Sequence, residues 1–294
     1  MDSGTAAYIV PNQESPSDLF KKATDFCSTI QERVTEKGSG GFKILSNTLT
    51  KQSGTAIFGS NYIESAGLDL EETINICERV FRGEHIHSGT LTSHIVRSRR
   101  EVIQHALAFQ HIITRMVLND EPLTEELILN THYILTKKID TPGGTSWREY
   151  SGKYRTVHVH AGATNFVTPK YVPTKVRELV SEFEADITRI EASQDIDPFT
   201  LAAKYCSDFV MIHPFVDGNG RMCRLILNAI LLKYAGIVLC LGENDESRQQ
   251  YLDIQRRAGE RMEGSGELAA LILKKSIARY RTLKQKLAGK KAPV

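Results

Sequence analysis

The chain has 294 residues, of which 41% are apolar and 24% are charged, and only 21 are glycine and 9 proline. This composition is typical of a globular protein and excludes collagen-like and disordered chains. The 37 basic and 35 acidic residues nearly cancel, to a formal charge of +2, which excludes a global field that would attract polyanions.

Several sequence features bear on cellular location. No apolar run reaches the roughly 20 residues that a membrane-spanning helix needs. We expect no secretory signal peptide, because the N-terminal segment lacks a basic stretch followed by an apolar core. Five widely spaced cysteines without a CxxC pair predict reduced thiols, and therefore a cytoplasmic or nuclear protein. The residues leave open whether the chain forms a homodimer.

The first sixty residues predict an arm followed by helices. Residues 1–16 are polar and predict a loose arm. Ser17 is the expected N-cap of a first helix, which the glycine-rich residues 38–41 are expected to end. Residues 42–58 show no clear period, and Ser60 is expected to begin a short helix.

The rest of the chain is predicted to be mainly helical. Apolar residues three or four apart predict helices at about 70–81, 95–117, 124–138, 173–190, 198–212, 219–234, 246–261 and 267–287. Two short strands, 154–159 and 166–167, are predicted around a glycine-containing turn. The expected fold class is therefore mainly α with one β-hairpin, divided into an arm and helical extension (1–54) and one domain (55–294).

Residues 213–224, HPFVDGNGRMCR, carry an anion-binding pattern. Two glycines flank Asn219 at the start of a predicted helix, where free N–H groups and the helix dipole favour an anion. Arg221 and Arg224 lie one turn apart, and two guanidinium groups suit a chain of phosphates better than one carboxylate.

Two further groups in this segment indicate reactivity. Asp217 is a single carboxylate beside the anion site, and Mg²⁺ is commonly held next to phosphates by one or two carboxylates. His213 is the only group there that can accept a proton near neutral pH. Together with the anion site, these residues suit the transfer of a phosphate-containing group to a hydroxyl.

The same segment matches the Fic-domain signature HPFx[D/E]GNGRxxR at every defined position, and the chain resembles the Fic/DOC family over about residues 55–287. The resemblance implies a Fic fold, a helical bundle with a β-hairpin flap. It also implies transfer of AMP from ATP to Ser, Thr or Tyr hydroxyls of target proteins, with Mg²⁺. The roles it implies are His213 as base, Asp217 as metal ligand, Gly218, Asn219 and Gly220 as anion hole, Arg221 as phosphate contact and Arg224 as γ-phosphate contact.

The resemblance also bears on the group transferred. Phosphorylating relatives have lysine in place of the second glycine, so Gly220 favours AMP transfer. Two alternatives stay open at this point. One is a Fic transferase of another phosphate-containing group, such as phosphocholine. The other is a non-catalytic regulator that binds ATP.

Residues 60–65 resemble the inhibitory motif [S/T]xxxE[G/N] of many Fic proteins, with Ser65 departing at the last position. In relatives that carry the motif before the core, the glutamate pairs with the second motif arginine. The resemblance thus implies that Ser60 and Glu64 regulate the site, with Glu64 competing with the γ-phosphate for Arg224. It leaves open whether the enzyme also removes AMP.

Three peripheral features complete the expectations. The flap, Val157–Phe166, is expected to bind an extended segment of the target protein by β-augmentation. Tyr251 is the expected adenine contact, whereas the asparagine that relatives carry nearby is not evident, and whether Asn244 upstream takes its place stays open. The basic C-terminal stretch from Lys274 is interpreted as an amphipathic closing helix. We expect no membrane or nucleic-acid partner.

Overall fold

The computed structural model describes residues 15–86, 93–161, 164–193, 196–261 and 264–289. The predicted arm lies outside these residues except at its end, where Pro16 already begins a helix. The tip of the predicted hairpin, residues 162–163, also lies outside them.

The described residues form eleven α-helices and one pair of short strands, besides two short turns of other helix types. They are α1 (Pro16–Glu36), α2 (Ser39–Ile63), α3 (Leu70–Phe81), α4 (Ser93–Ile113), α5 (Glu125–Thr136), α6 (Trp147–Tyr150), β1 (His160–Ala161), β2 (Thr164–Asn165), α7 (Val172–Ser193), α8 (Pro198–Ile212), α9 (Asn219–Ala235), α10 (Asp245–Arg261) and α11 (Gly266–Leu287). A π-helical turn, Thr114–Leu118, extends α4, and a 3₁₀ turn, Pro169–Tyr171, precedes α7. The predicted mainly-α class is confirmed.

The first two helices differ from the prediction. Ser15, and not Ser17, caps α1, because its Oγ accepts from the Asp18 N–H at 3.1 Å. The predicted end of the first helix at the glycine-rich residues 38–41 is confirmed, since α1 ends at Glu36 and Gly38 separates it from α2. The predicted irregular stretch at 42–58 and the helix start at Ser60 are wrong, because α2 is one helix of 25 residues. Gly41 serves packing, because a Cβ there would clash with the Val34 carbonyl of α1. The division at 54/55 falls inside α2 and stays a prediction.

Helix α9 lies at the centre of the molecule. It packs against α8, α2 and α4, and its sequence LILNAILL is apolar on every side. Helix α11 packs on α8 and α1 and buries the predicted apolar face that includes Leu268 and Tyr280, so the amphipathic closing helix is confirmed. Because the motif 213–224 joins α8 to α9, the central packing fixes the position of the motif.

The hairpin is shorter than predicted. His160 pairs with Asn165 and Ala161 with Thr164, in antiparallel register. The predicted strands at 154–159 and 166–167 are wrong, because those residues form no ladder. Their carbonyls are used elsewhere: Arg155 donates to the carbonyl oxygens of Val157 and Val167. Over the described ranges, no helix combines the length and apolar character needed to cross a membrane.

Candidate functional site

His213 follows directly after α8 and has a fixed tautomer. Its backbone is left-handed (φ 51°), and its N–H donates to the Phe209 carbonyl at 3.0 Å. Its Nδ1 lies 3.1 Å from the Val210 carbonyl. Because a carbonyl only accepts, Nδ1 carries the proton and the Nε2 lone pair is free. Burial lowers the pKa of His213, and the bond to Val210 acts in the opposite direction. The residue is therefore a neutral base near pH 7.

Two residues that the sequence analysis missed hold His213 in place. The Phe166 ring stacks on the imidazole with centroids 3.8 Å apart and planes 18° apart. Arg155 Nε donates to the His213 carbonyl at 2.6 Å. Both lie in or beside the flap, which links this segment to the candidate base. The only sequence signal for Arg155 was a charged residue within a predicted strand, and its burial appears only in the structure.

Residues 215–220, the loop before α9 together with the first two residues of that helix, are called the anion loop here, and hydrogen bonds of its own side chains hold its shape. The Asn219 Oδ1 accepts from the Phe215 N–H at 2.9 Å, and its Nδ2 donates to the Phe215 carbonyl at 2.8 Å. Phe215 is fully buried, as an anchor of the loop in the core must be. Gly218 has a φ of 83°, which other residues adopt only with strain. Asn219 thus shapes the loop, and only its backbone is left to meet an anion.

His132 of α5 supports this loop from behind and was also missed. Its Nε2 lies 2.9 Å from the Asp217 carbonyl, and its Nδ1 accepts from the Gly152 N–H at 2.9 Å. The ring stacks on Phe215 with centroids 3.6 Å apart. Burial lowers the pKa of His132 to about 3, so the ring is neutral. No sequence pattern separates this histidine from an ordinary core residue.

A pH dependence of stability follows from His132. The unfolded chain protonates it near 6.5 and the folded chain only near 3. Between these values the unfolded state binds more protons, so the free energy of unfolding falls on acidification by up to about 1.4 kcal/mol per pH unit. Urea unfolding from pH 7 to pH 4 should show a shallower dependence for His132→Gln than for wild type. The exposed control His158→Gln should keep the wild-type slope, and an unchanged slope in His132→Gln contradicts this account.

Asp217 and Arg221 form an ion pair beside the loop. Arg221 Nη2 donates to Asp217 Oδ2 at 3.2 Å, while Asp217 Oδ1 accepts from the Gly218 N–H at 2.7 Å. The Asp217 side chain is 29% exposed and that of Arg221 only 6%. Arg221 Nε and Nη1 are buried with no partner among the described residues. Arg221 lies behind Asp217 and does not line the cavity that Asp217 faces.

Arg224 is engaged by α2, as the inhibitory motif implies. Its Nη2 donates to Glu64 Oε1 at 2.6 Å, and its Nε donates to Ser60 Oγ at 2.8 Å. Burial favours the neutral form of Arg224, but the Glu64 carboxylate more than offsets this, and the pKa of Arg224 is raised. The carboxylate lies so close to Gly220 that any Cβ there would overlap Oε1. Glu64 thus occupies the helix N-terminus where an anion would bind.

Further contacts hold the end of α2 against α10. Tyr62 Oη donates to Asp245 Oδ1 at 2.6 Å, and Arg248 Nε donates to the Ile63 carbonyl at 3.0 Å. Glu64 is the C-cap of α2, so its position depends on these contacts. The carboxylate is therefore carried by a firmly attached helix end.

A cavity of about 530 Å³ joins these groups. Its lining includes Glu64, Phe166, Val210, Met211, His213, Asp217, Gly218, Asn219, Gly220, Arg224, Arg248, Tyr251, Leu252, Gln255 and Arg256. Tyr251 lies with its ring 5.7 Å from the Arg224 guanidinium carbon, and its hydroxyl lies 3.7 Å from Cys223 Sγ. Asn244 does not line the cavity, because its side chain accepts from the Ser247 N–H at the start of α10.

Comparison with known proteins gives matches to one family. Residues 122–231 match the model of the Fic/DOC family. The chain is 33% identical over 132 residues to a Fido domain-containing protein of Dictyostelium discoideum, covering 44% of this chain and 89% of that one. It is 37% identical over 83 residues to Protein adenylyltransferase fic-1 of Caenorhabditis elegans, covering 28% of this chain but 15% of that protein. The chain thus spans well under two thirds of this longer relative.

Solved structures of low sequence identity share the fold. A Fic domain containing signaling protein from Bacteroides thetaiotaomicron superposes with a TM-score of 0.70 at 17% identity, covering 92% of this chain and 99% of that one. Fic-1 of C. elegans superposes with a TM-score of 0.69 at 20% identity, covering 93% and 74%. The predicted Fic fold is confirmed, and the chain belongs to the Fic/DOC family.

Proposed function

We propose that this chain is a protein adenylyltransferase that transfers AMP from ATP to a Ser, Thr or Tyr hydroxyl of a target protein, acting in the cytoplasm or nucleus. The observation that carries the proposal is the placement of His213 and the anion loop in one cavity. His213, whose Nδ1 is engaged by the Val210 carbonyl, lines the same cavity as the N-terminal residues 218–220 of α9, and a base beside an anion site is what phosphate-group transfer to a hydroxyl needs. Relatives named protein adenylyltransferases support the reaction type.

The reaction would proceed in line at the α-phosphorus. The target oxygen attacks phosphorus while His213 Nε2 takes its proton, and the bond to the bridging oxygen of pyrophosphate breaks. A new phosphodiester joins AMP to the side chain, and pyrophosphate leaves. The N–H groups of the 218–220 loop would stabilise the charge on the α-phosphate, and Arg224 would hold the γ-phosphate. Burial keeps His213 neutral and ready to accept the proton, because it lowers the pKa.

Asp217 fits the Mg²⁺ that the family implies. The described residues hold no cluster of three or more His, Cys, Asp or Glu side chains that could bind a metal alone. Asp217 is, however, a partly exposed carboxylate on the cavity wall, and Mg²⁺ needs few protein ligands when phosphates supply the others. Bound there, Mg²⁺ would neutralise charge on the phosphates. Arg221 would then orient Asp217 rather than touch the nucleotide.

Replacement of Asp217 should weaken the response to metal. In Asp217→Ala, the Mg²⁺ concentration that gives half-maximal AMP transfer should rise at least about tenfold, since 1.4 kcal/mol of binding free energy corresponds to that factor. Added metal should restore the rate only in part. A magnesium titration of initial rates checks this, with the exposed Asp120→Asn as control. An unchanged half-maximal concentration would place the metal elsewhere.

Autoinhibition by Glu64 is the second part of the proposal. Its carboxylate pairs with Arg224 and lies against Gly220, so it holds two of the contacts that the ATP phosphates would use. ATP could enter only with its phosphates displaced, and a displacement of about 1 Å in a reacting group costs roughly 10²-fold in rate.

Gly220 favours AMP transfer over phosphorylation, because the relatives that phosphorylate have lysine at this position.

The flap would bind the target. Val157 is 54% exposed, and Phe166 within the flap contacts the His213 ring. An extended target segment lying along the flap by β-augmentation would bring its hydroxyl next to Nε2. This docking depends on main-chain hydrogen bonds and reads little of the target sequence.

Product analysis tests the proposed reaction. Glu64→Gly protein is incubated with a cell lysate and ATP, and modified proteins are digested and analysed by mass spectrometry. The expected products are AMP on hydroxyl side chains and pyrophosphate in solution. Phosphorylated side chains with ADP as product would indicate kinase chemistry. Binding of ATP without any protein modification would leave only a regulator, and either outcome refutes the proposal.

A further inference from the structure

Arg155 is a buried cation whose partners among the described residues are carbonyl oxygens. The residue is 2% exposed. Its Nε donates to the His213 carbonyl at 2.6 Å and its Nη1 to the Val157 carbonyl at 3.0 Å. Its Nη2 donates to the Val167 carbonyl and, at 3.4 Å, to that of Ile212. Burial alone lowers the pKa of Arg155, and in the described ranges no carboxylate lies within salt-bridge distance of it.

This environment requires a guanidinium and fixes its neighbours. A buried charge is costly unless its donors are all matched, and the planar fork of arginine presents five N–H groups in set directions. Two of its acceptors, the carbonyls of Ile212 and His213, lie at the C-terminus of α8, where the helix dipole favours a cation. If either the helix end or the flap moved, buried donors would lose their partners.

The contacts of Arg155 join two parts of the site. The carbonyls of Val157 and Val167 lie on either side of Phe166 in the chain, and the Phe166 ring lies on the His213 ring. The Arg155 N–H also donates to the Pro214 carbonyl at 2.9 Å. The Arg155 side chain therefore holds His213 in two ways. It binds the carbonyl of His213 itself, and it binds the carbonyls on either side of Phe166, whose ring stacks on the imidazole.

We propose that Arg155 is a positioning residue that sets the orientation of His213 and the distance between that ring and the flap. The inference rests on the AMP transfer proposed above and adds a residue to it. A target segment that docks on the flap thereby acts on His213 through Arg155. The residue itself touches neither nucleotide nor target.

The substitution Arg155→Lys keeps the positive charge and removes the planar guanidinium group. In the Glu64→Gly background, Arg155→Lys should lower kcat about 10²-fold, the effect of a misplacement of about 1 Å. The KM for ATP should stay within about twofold, because ground-state nucleotide contacts are kept. Amide exchange in 157–161 and 164–167 should become faster, while exchange in α9 stays at the wild-type rate. The matched control Arg177→Lys, whose side chain is 58% exposed on α7, should change none of these.

Two outcomes overturn the inference. One is a kcat equal to that of the parent variant; the other is a loss of kcat with equal losses in ATP affinity and thermal stability, which indicates general unfolding.

If the Glu64→Gly parent itself transfers no AMP, the proposed function fails. The role of Arg155 is then tested by amide exchange and by the NMR titration of His213. Faster exchange confined to the flap with a shifted His213 titration supports positioning, and unchanged values in both refute it. Arg155→Met serves as a second variant only if it folds.

Discussion

Glu64→Gly should raise AMP transfer, including self-modification, by roughly 30- to 1,000-fold, which corresponds to about 2–4 kcal/mol of transition-state stabilisation. In the wild-type chain, Glu64 Oε1 lies 2.6 Å from Arg224 Nη2 and against Gly220. Removing the carboxylate frees a buried guanidinium for the γ-phosphate and opens the helix N-terminus. ATP can then place its α-phosphorus in line with a hydroxyl at His213.

The control for this variant is Glu71→Gly, which removes an exposed carboxylate from the first turn of α3 and leaves Arg224 paired. Initial rates with ATP labelled at the α-phosphate should rise only for the change at position 64. A flat or lower rate in Glu64→Gly would mean that the contact with Arg224 is structural and that residues 60–65 do not regulate the site.

His213→Ala should reduce transfer by about 10²–10⁴-fold, the contribution of a general base. The loss should appear in kcat, because in the proposed reaction the imidazole would contact the target hydroxyl and not the nucleotide phosphates. ATP affinity, measured by calorimetry in the Glu64→Gly background, should stay close to that of the parent. His111→Ala replaces a histidine of α4 outside the cavity and serves as the control. Near wild-type labelling by His213→Ala at saturating Mg²⁺ and ATP would refute the assignment of the base.

The pairing of Ser60 and Glu64 with Arg224 was accessible from sequence, although the helix that carries it was not. The spacing of Ser60 and Glu64 matches the inhibitory motif. The family resemblance implies that Glu64 pairs with Arg224, which lies 160 residues further along the chain. The glycines at 38–41 end α1 as predicted, but residues 42–58, for which the sequence showed no clear period, belong to one continuous helix that packs on α1, α3 and α4. Tertiary packing overrode local propensity at that point.

Positioning residues were beyond the reach of the sequence for a related reason. The partners of His132 and Arg155 include main-chain atoms 85 and 58 residues away in the chain. Such contacts impose no periodicity and no local motif. Arg221 shows the converse: it belongs to the signature, yet its place behind Asp217 appears only when α9 is folded.

The most direct measurement of the central claim follows label from ATP to protein in one experiment with three chains. Wild type, Glu64→Gly and the double variant Glu64→Gly/His213→Ala are incubated with Mg²⁺, a lysate and ATP labelled at either the α- or the γ-phosphate. Above the background of the lysate alone, which includes its own kinases, we expect label on protein from the α-position only, strong in Glu64→Gly, weak in wild type and absent in the double variant. Label from the γ-position, or α-label in the double variant at the level of Glu64→Gly, would contradict AMP transfer by His213 under the control of Glu64.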